Sequence, residues 1–110
     1  LSSASDLFTS TMAAGRKLLS VDFEVFGKVQ GVFFRKHTQR TANELGVVGW
    51  VRNTQTKTVR GTMQGPPDRV EKMKIWLRTK GSPSSKITKC DFKNERELSS
   101  SSYSSFDIAK

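Results

Sequence analysis

The spacing of apolar residues changes from one segment of this chain to the next, and the order of these segments limits the folds that it can adopt. From residue 19 to residue 25, apolar residues alternate with polar ones, which predicts a strand with one buried face. Gly27 is expected to end this strand. An apolar face at helical spacing follows, made of Phe34, Thr38, Ala42 and Leu45. Gly46 stands where a left-handed cap would end that helix.

The second half of the chain again shows apolar residues at the spacings typical of strands and helices. "VVGWV" (47–51) and the segment from Thr58 to Met63 predict two strands of a hairpin, joined by the polar turn "NTQTK". Pro66 and Pro67 predict the start of a second helix, and "GSP" (81–83) predicts its end. The apolar stripe of this helix is Val70, Met73, Trp76 and Leu77.

Two more strands complete the pattern. "KITKCDF" (86–92) predicts a fourth strand, which needs a bulge or burial on both faces because Ile87 is out of phase with Cys90 and Phe92. "SYSSFDI" (102–108) can pair as a fifth strand. The order strand, helix, strand, strand, helix, strand is that of the split βαβ arrangement. We therefore predict an α+β sandwich, with both helices on one face of an antiparallel sheet of four to five strands and with Trp50 and Trp76 anchoring the core.

Composition narrows the possible partners and compartment. The 110 residues suffice for one domain, and a formal charge of +9 favours anionic partners such as nucleic acid, acidic membranes or phosphate compounds. A single cysteine, Cys90, cannot form an internal disulfide and indicates a reducing, cytoplasmic setting. No apolar run approaches the length of a membrane span. Residues 1–16 are expected to form a disordered extension, because residues 1–14 are rich in serine and threonine and nearly uncharged, and residues 17–110 form the domain.

The loop "GKVQGVFFRKH" (27–37) joins the first strand to the first helix and has two interpretations. It is a surface turn in a basic protein, or it is a cradle for an anion. Gly27 and Gly31 would let several backbone amides converge at the positive end of the helix dipole. Arg35 would add a fixed charge and a fork of donors that matches phosphate.

Longer motifs decide between these interpretations. "VQGVFFRKHTQRTANELGVVGWVRNT" (29–54), "GTMQGP" (61–66) and "WLRTKGSP" (76–83) resemble the acylphosphatase family, and the resemblance runs from about Phe23 to the end of the chain. It implies a small ferredoxin-like enzyme that hydrolyses the carboxyl–phosphate anhydride of acyl phosphates. It also implies inorganic phosphate as product and competing ligand, a monomer, and no cofactor, metal or membrane.

The resemblance also implies roles for particular residues. Arg35 would bind the phosphate and Asn53 would orient the attacking water, while Gly27 and Thr54 would support them. The amide cradle would consist of Gln30, Gly31, Val32, Phe33, Phe34 and Arg35. Two of these assignments have alternatives in the sequence. Asn53 is also of a residue type that favours turns, so its alternative role is to shape the hairpin turn. Thr54 either bonds to Asn53 or caps that turn.

The absence of other catalytic motifs agrees with this chemistry. Phosphoryl transfer needs mainly positioning and charge stabilisation, because the transition state is loose. A carboxylate leaving group departs without a proton, since its conjugate acid has a pKa of roughly 4. The sequence contains no paired carboxylates, nucleophilic dyad or metal-ligand spacing, and this reaction requires none of them.

Two binding modules with the same fold are the alternatives. An RNA-recognition domain would suit the charge, but it stacks bases on aromatic residues of its central strands, and the third strand "TVRGTMQG" (58–65) has none. A regulatory phosphate-binding domain would share the cradle and would differ in needing no chemistry at Asn53.

Overall fold

The computed structural model describes residues 17–109, and the predicted disordered extension at residues 1–16 lies outside them. Seven elements follow one another in the order predicted from the spacing of apolar residues. They are β1 (Leu18–Lys28), α1 (Phe34–Leu45), β2 (Val48–Asn53), β3 (Val59–Gly65), α2 (Pro67–Thr79), β4 (Lys86–Leu98) and β5 (Phe106–Ile108). The predicted split βαβ sandwich is thereby confirmed, and the ends of both helices lie within one or two residues of their predicted positions.

One sheet contains all five strands in the spatial order β4-β1-β3-β2-β5. The first four pair antiparallel, as predicted. The pairing of β5 differs from the prediction, because this short strand runs parallel to β2, with Ile108 opposite Val51. The sheet is therefore mixed. The long connection after β4 carries the chain to the far edge of the sheet and sets the direction in which β5 enters.

The core fills the space between the sheet and the two helices. Alternate residues of β1, namely Val21, Phe23 and Val25, are at most 3% exposed and point into it. Helix α1 contributes Phe34, Thr38 and Ala42, and helix α2 contributes Val70, Met73 and Leu77. These are residues of the two stripes predicted from helical spacing, so burial of apolar surface holds both helices against the sheet.

The predicted irregularity in the fourth strand is a β-bulge. Phe26 pairs with Lys89 and Gly27 pairs with Ile87, so β4 has one extra residue at this point. The bulge lets Ile87 pack against the core together with Cys90 and Phe92. Strand β4 also continues to Leu98, well beyond the predicted end at Phe92, because the polar segment "KNEREL" (93–98) pairs with the start of β1.

Trp50 does not anchor the core, so this prediction is wrong. Gly49 and Val51 take the buried positions of β2, and the alternation of a strand places Trp50 on the opposite face. There its indole Nε1 donates a hydrogen bond of 3.2 Å to the Tyr103 hydroxyl, and the Arg52 guanidinium lies 5.8 Å from its ring centroid. Trp76 does pack against the core, with its ring 5.7 Å from that of Phe34.

Candidate active site

A cleft of about 360 Å³ opens at the end of the sheet where α1 begins. Its walls come from the β1–α1 loop, the first turn of α1, the end of β2 and the edge strand β5. The lining residues are Val29, Gly31, Phe33, Phe34, Arg35, Lys36, Asn53 and Ile108. The cleft therefore brings together Arg35 and Asn53, the two predicted catalytic residues, which are 18 positions apart in the chain.

The loop enters α1 in a conformation that leaves backbone amides free. Gly31 and Phe33 both have left-handed backbones, with φ of 74° and 58°. No side chain caps the helix, and its first turn contains no acidic residue. The first helical hydrogen bond runs from the His37 amide to the Phe33 carbonyl at 3.0 Å, so the three preceding amides have no helical acceptor. These amides and the helix dipole form a site suited to an anion.

Arg35 supplies a cation beside these amides. Its side chain is half-buried and lines the cleft together with that of Lys36, which is exposed. None of the salt bridges formed within residues 17–109 involves Arg35. The guanidinium is therefore not neutralised by a carboxylate of the described chain, and its donors are available to a ligand.

Asn53 is the last residue of β2, and its side-chain oxygen has an unusual environment. Asn53 Oδ1 is buried and accepts no hydrogen bond from any described residue. Buried polar atoms are nearly always hydrogen-bonded, so an acceptor of this kind indicates a partner other than the described residues. The predicted alternative, in which the Asn53 side chain serves the hairpin turn, is not supported by any bond from a described residue to this oxygen.

Thr54 closes the turn instead. Its hydroxyl accepts a hydrogen bond of 3.1 Å from the Thr58 amide and lies 2.7 Å from the Thr58 hydroxyl. The backbone of Thr54 also donates to the Thr58 carbonyl at 2.9 Å. Of the two predicted roles for Thr54, a bond to Asn53 or a cap on the turn, the geometry shows the cap. Thr54 holds the end of β2, where Asn53 lies.

Gln30 joins the loop to this turn, which the sequence analysis missed. Its side-chain Nε2 donates to the Thr54 carbonyl at 3.0 Å and to the Thr58 carbonyl at 2.9 Å. From the sequence, only the backbone amide of Gln30 was assigned a role. In the structure, its side chain fixes the β1–α1 loop against the hairpin that carries Asn53. No local sequence pattern marks these bonds, because they join residues that are 24 and 28 positions apart in the chain.

The remaining predicted residues occupy different positions around the cleft. Val32 and Phe34 are buried, so their side chains hold the loop and the helix start against the core. Gly27 lies within β1 and does not line the cleft. Its φ is 124°, and a Cβ there would lie 2.0 Å from the Lys86 carbonyl oxygen, so glycine allows β4 to approach at the bulge. Residues 17–109 contain no group of three His, Cys, Asp or Glu side chains placed to hold a metal ion.

A family model described as Acylphosphatase matches residues 21–108, which include the whole cleft. This chain belongs to the acylphosphatase family. It is 61% identical over 92 residues to Acylphosphatase-1 of Xenopus tropicalis, covering 84% of this chain and 94% of that protein. It is also 56% identical over 99 residues to Acylphosphatase-1 of Homo sapiens, covering 90% of this chain and all of that protein.

A solved structure supports the fold in the same way. The crystal structure of acylphosphatase from Bacillus subtilis matches with a TM-score of 0.75 and 30% identity, over 84% of this chain and 99% of that one. The family predicted from the loop and hairpin motifs is thus confirmed, and so is the ferredoxin-like fold. No helix in residues 17–109 is long and apolar enough to cross a membrane.

The outward face of the central strands does not favour the RNA-binding alternative. The outward residues of β1 and β3 hydrogen-bond to one another across the pair. The Thr62 hydroxyl donates to Asp22 Oδ1 at 2.6 Å, and Gln64 Nε2 donates to the Ser20 hydroxyl at 3.1 Å. At these positions β1 and β3 present short polar side chains that hydrogen-bond to one another, beside a carboxylate, and no aromatic ring on which a base could stack.

Proposed function

We propose that this chain hydrolyses acyl phosphates at the cleft lined by Arg35 and Asn53. The activity agrees with membership of the acylphosphatase family. One observation carries the assignment to the cleft: Asn53, Arg35 and the uncapped start of α1 line the same space, and within residues 17–109 Asn53 Oδ1 accepts no hydrogen bond and Arg35 forms no salt bridge. A site for phosphate and a side chain that can bind water therefore lie together.

The phosphate group is assigned to Arg35 and the loop amides. The guanidinium fork donates to two phosphate oxygens, and the amides of residues 30–35 surround the others. Charge on the equatorial oxygens is spread over these donors in the transition state, so the same contacts that bind the substrate also stabilise the reaction. Gln30 and Gly27 contribute indirectly, through the turn and through β4.

The attacking water is assigned to Asn53. Its side-chain amide group hydrogen-bonds to the water and fixes the direction of the water lone pair toward phosphorus. The water oxygen forms the new bond to phosphorus while the bond from phosphorus to the acyl oxygen breaks. The carboxylate leaves with that electron pair, one proton of the water passes to a phosphate oxygen, and inorganic phosphate is the second product.

No general acid is assigned, because the carboxylate leaving group is stable without a proton. We also propose that the reaction is independent of a metal ion, since Arg35 and the amides supply the positive charge. We also propose that the enzyme is a monomer and that it acts in the cytoplasm. The single cysteine supports the reducing compartment.

Hydrolysis of benzoyl phosphate, followed by ultraviolet absorbance, tests the proposed function. We expect turnover without added metal and the same rate in excess chelator. A binding module without catalysis would bind inorganic phosphate in a thermal-shift assay and show no turnover. Activity that appears only with a divalent ion would contradict the metal-free mechanism.

A further inference from the structure

Phe33 is exposed to an extent that the fold does not explain. It is 78% exposed, whereas the next most exposed large apolar side chain among the described residues, Ile75, is 46% exposed. Its backbone is left-handed, which is unfavourable for an aromatic residue. The Phe33 side chain neither fills the core nor caps the helix. It does line the cleft, so its surface is available to whatever binds there.

The accessible walls of the cleft divide into a polar part and an apolar part. Arg35, Lys36 and Asn53 provide the polar side chains. Of the apolar side chains that line the cleft, that of Phe33 is exposed and that of Ile108 is half-buried. Val29 and Phe34 also line the cleft, but each is only 1% exposed and offers little surface to a ligand.

Ile108 reaches the cleft because of the parallel edge strand. It pairs with Val51 of β2, and the Ala109 amide donates to the Val51 carbonyl at 2.8 Å. Asn53 lies two residues further along the same strand. The apolar side chain from β5 is thereby fixed beside the strand that carries the proposed water site.

We propose that Phe33 and Ile108 form an acyl subsite, which favours substrates whose acyl group is apolar and above all aromatic. The proposal rests on the proposed function, because a phosphate bound at Arg35 leaves the acyl group to contact the rest of the cleft. An aromatic acyl group can stack on the exposed Phe33 ring and remove apolar surface from water. An acetyl group is too small to gain much from the same surface.

Kinetics of Phe33→Ala with benzoyl phosphate and acetyl phosphate test this proposal. We expect kcat/KM for benzoyl phosphate to fall about fivefold to tenfold more than kcat/KM for acetyl phosphate, mostly through KM. Intrinsic differences between the two leaving groups cancel, because each substrate is compared between variant and wild type. Phe33→Tyr keeps the ring and should keep the preference for benzoyl phosphate.

Three controls make the outcome decisive. Phe33→Ala keeps the backbone amide of residue 33, which is the part assigned to the phosphate cradle, so the inhibition constant of inorganic phosphate should be the same in this variant and wild type. Ile75→Ala removes an exposed apolar side chain from α2 and should leave kcat/KM unchanged for both substrates. Ile108→Ala should lower kcat/KM for benzoyl phosphate selectively, as Phe33→Ala does.

The results separate this proposal from the proposed function. Equal losses for both substrates, or no loss for benzoyl phosphate, would overturn the acyl subsite while wild-type turnover still stood. Wild-type protein that hydrolyses neither substrate would overturn the proposed function itself. A change in phosphate inhibition would show that Phe33 acts on the phosphate loop and would also overturn the subsite.

Discussion

Asn53→Ala should separate catalysis from stability. Asn53 Oδ1 is buried and accepts no hydrogen bond from residues 17–109, so the variant loses no bond of this kind within the described chain. The variant loses the packing of the amide group, which costs about 1 kcal/mol. We therefore expect the free energy of unfolding to stay within about 1–2 kcal/mol of wild type.

The effect on turnover should be far larger. If Asn53 orients the water, its removal costs about 3 kcal/mol of barrier, and kcat should fall at least about a hundredfold. KM should change little, because Arg35 and the amides still hold the phosphate, provided that chemistry is slower than substrate release. Inorganic phosphate should still raise the melting temperature of the variant.

Thr54→Ala provides the contrasting case. It removes the hydroxyl that bonds to Thr58 and closes the turn, so stability should fall by about 1–2 kcal/mol while kcat of the folded protein falls less than about threefold. Steady-state kinetics, urea denaturation and phosphate-dependent melting on the same preparations give all the quantities needed. Folded Asn53→Ala that keeps more than half of wild-type kcat would refute the assigned role of Asn53.

Two further predictions follow from the contacts. Gln30→Ala should lower the free energy of unfolding by about 1–3 kcal/mol, because it loses two hydrogen bonds. Gln39→Ala loses one bond, to the Phe106 carbonyl, and should lower it by about half as much. Urea titration of both variants measures the two losses. Burial, reinforced by Asp91 and opposed by Arg78, raises the pKa of Cys90 from 9.0 to about 12. A raised pKa in the folded state stabilises the protein below pH 9.0, and this contribution is lost as the pH rises toward 12. Wild type should therefore lose stability relative to Cys90→Ala on going from about pH 8 to about pH 10.5, and parallel pH dependences would contradict the burial of the thiol.

Much of the fold could be predicted from the spacing of apolar residues, because the period of burial differs between strands and helices. The bulge in β4 followed from the phase of Ile87 against Cys90. The end of β4 could not be predicted, since "KNEREL" (93–98) is polar and strand pairing there depends on β1 being its neighbour. Trp50 was misplaced because a short apolar run does not show which parity faces the helices, and only the assembled sheet decides this.

For the site as well, local features could be predicted from the sequence and contacts between distant segments could not. The loop motif could indicate Arg35 and the amides, because an anion cradle at a helix start is built from neighbouring residues. The hydrogen bonds from Gln30 to the hairpin turn could not be predicted, because they join distant segments of the chain. Ile108 was missed for the same reason, since it reaches the cleft only through the parallel pairing of β5 with β2.

Calorimetry of inorganic phosphate binding to Arg35→Ala, Arg35→Lys and wild type tests most directly whether this cleft is the phosphate site. We expect Kd to rise at least about tenfold in both variants, because alanine removes the charged donors and lysine lacks the fork. Arg40→Ala removes the same charge from an exposed position of α1 that does not line the cleft, and its Kd should stay within about twofold of wild type. A wild-type Kd in Arg35→Ala would contradict the phosphate site and with it the proposed mechanism.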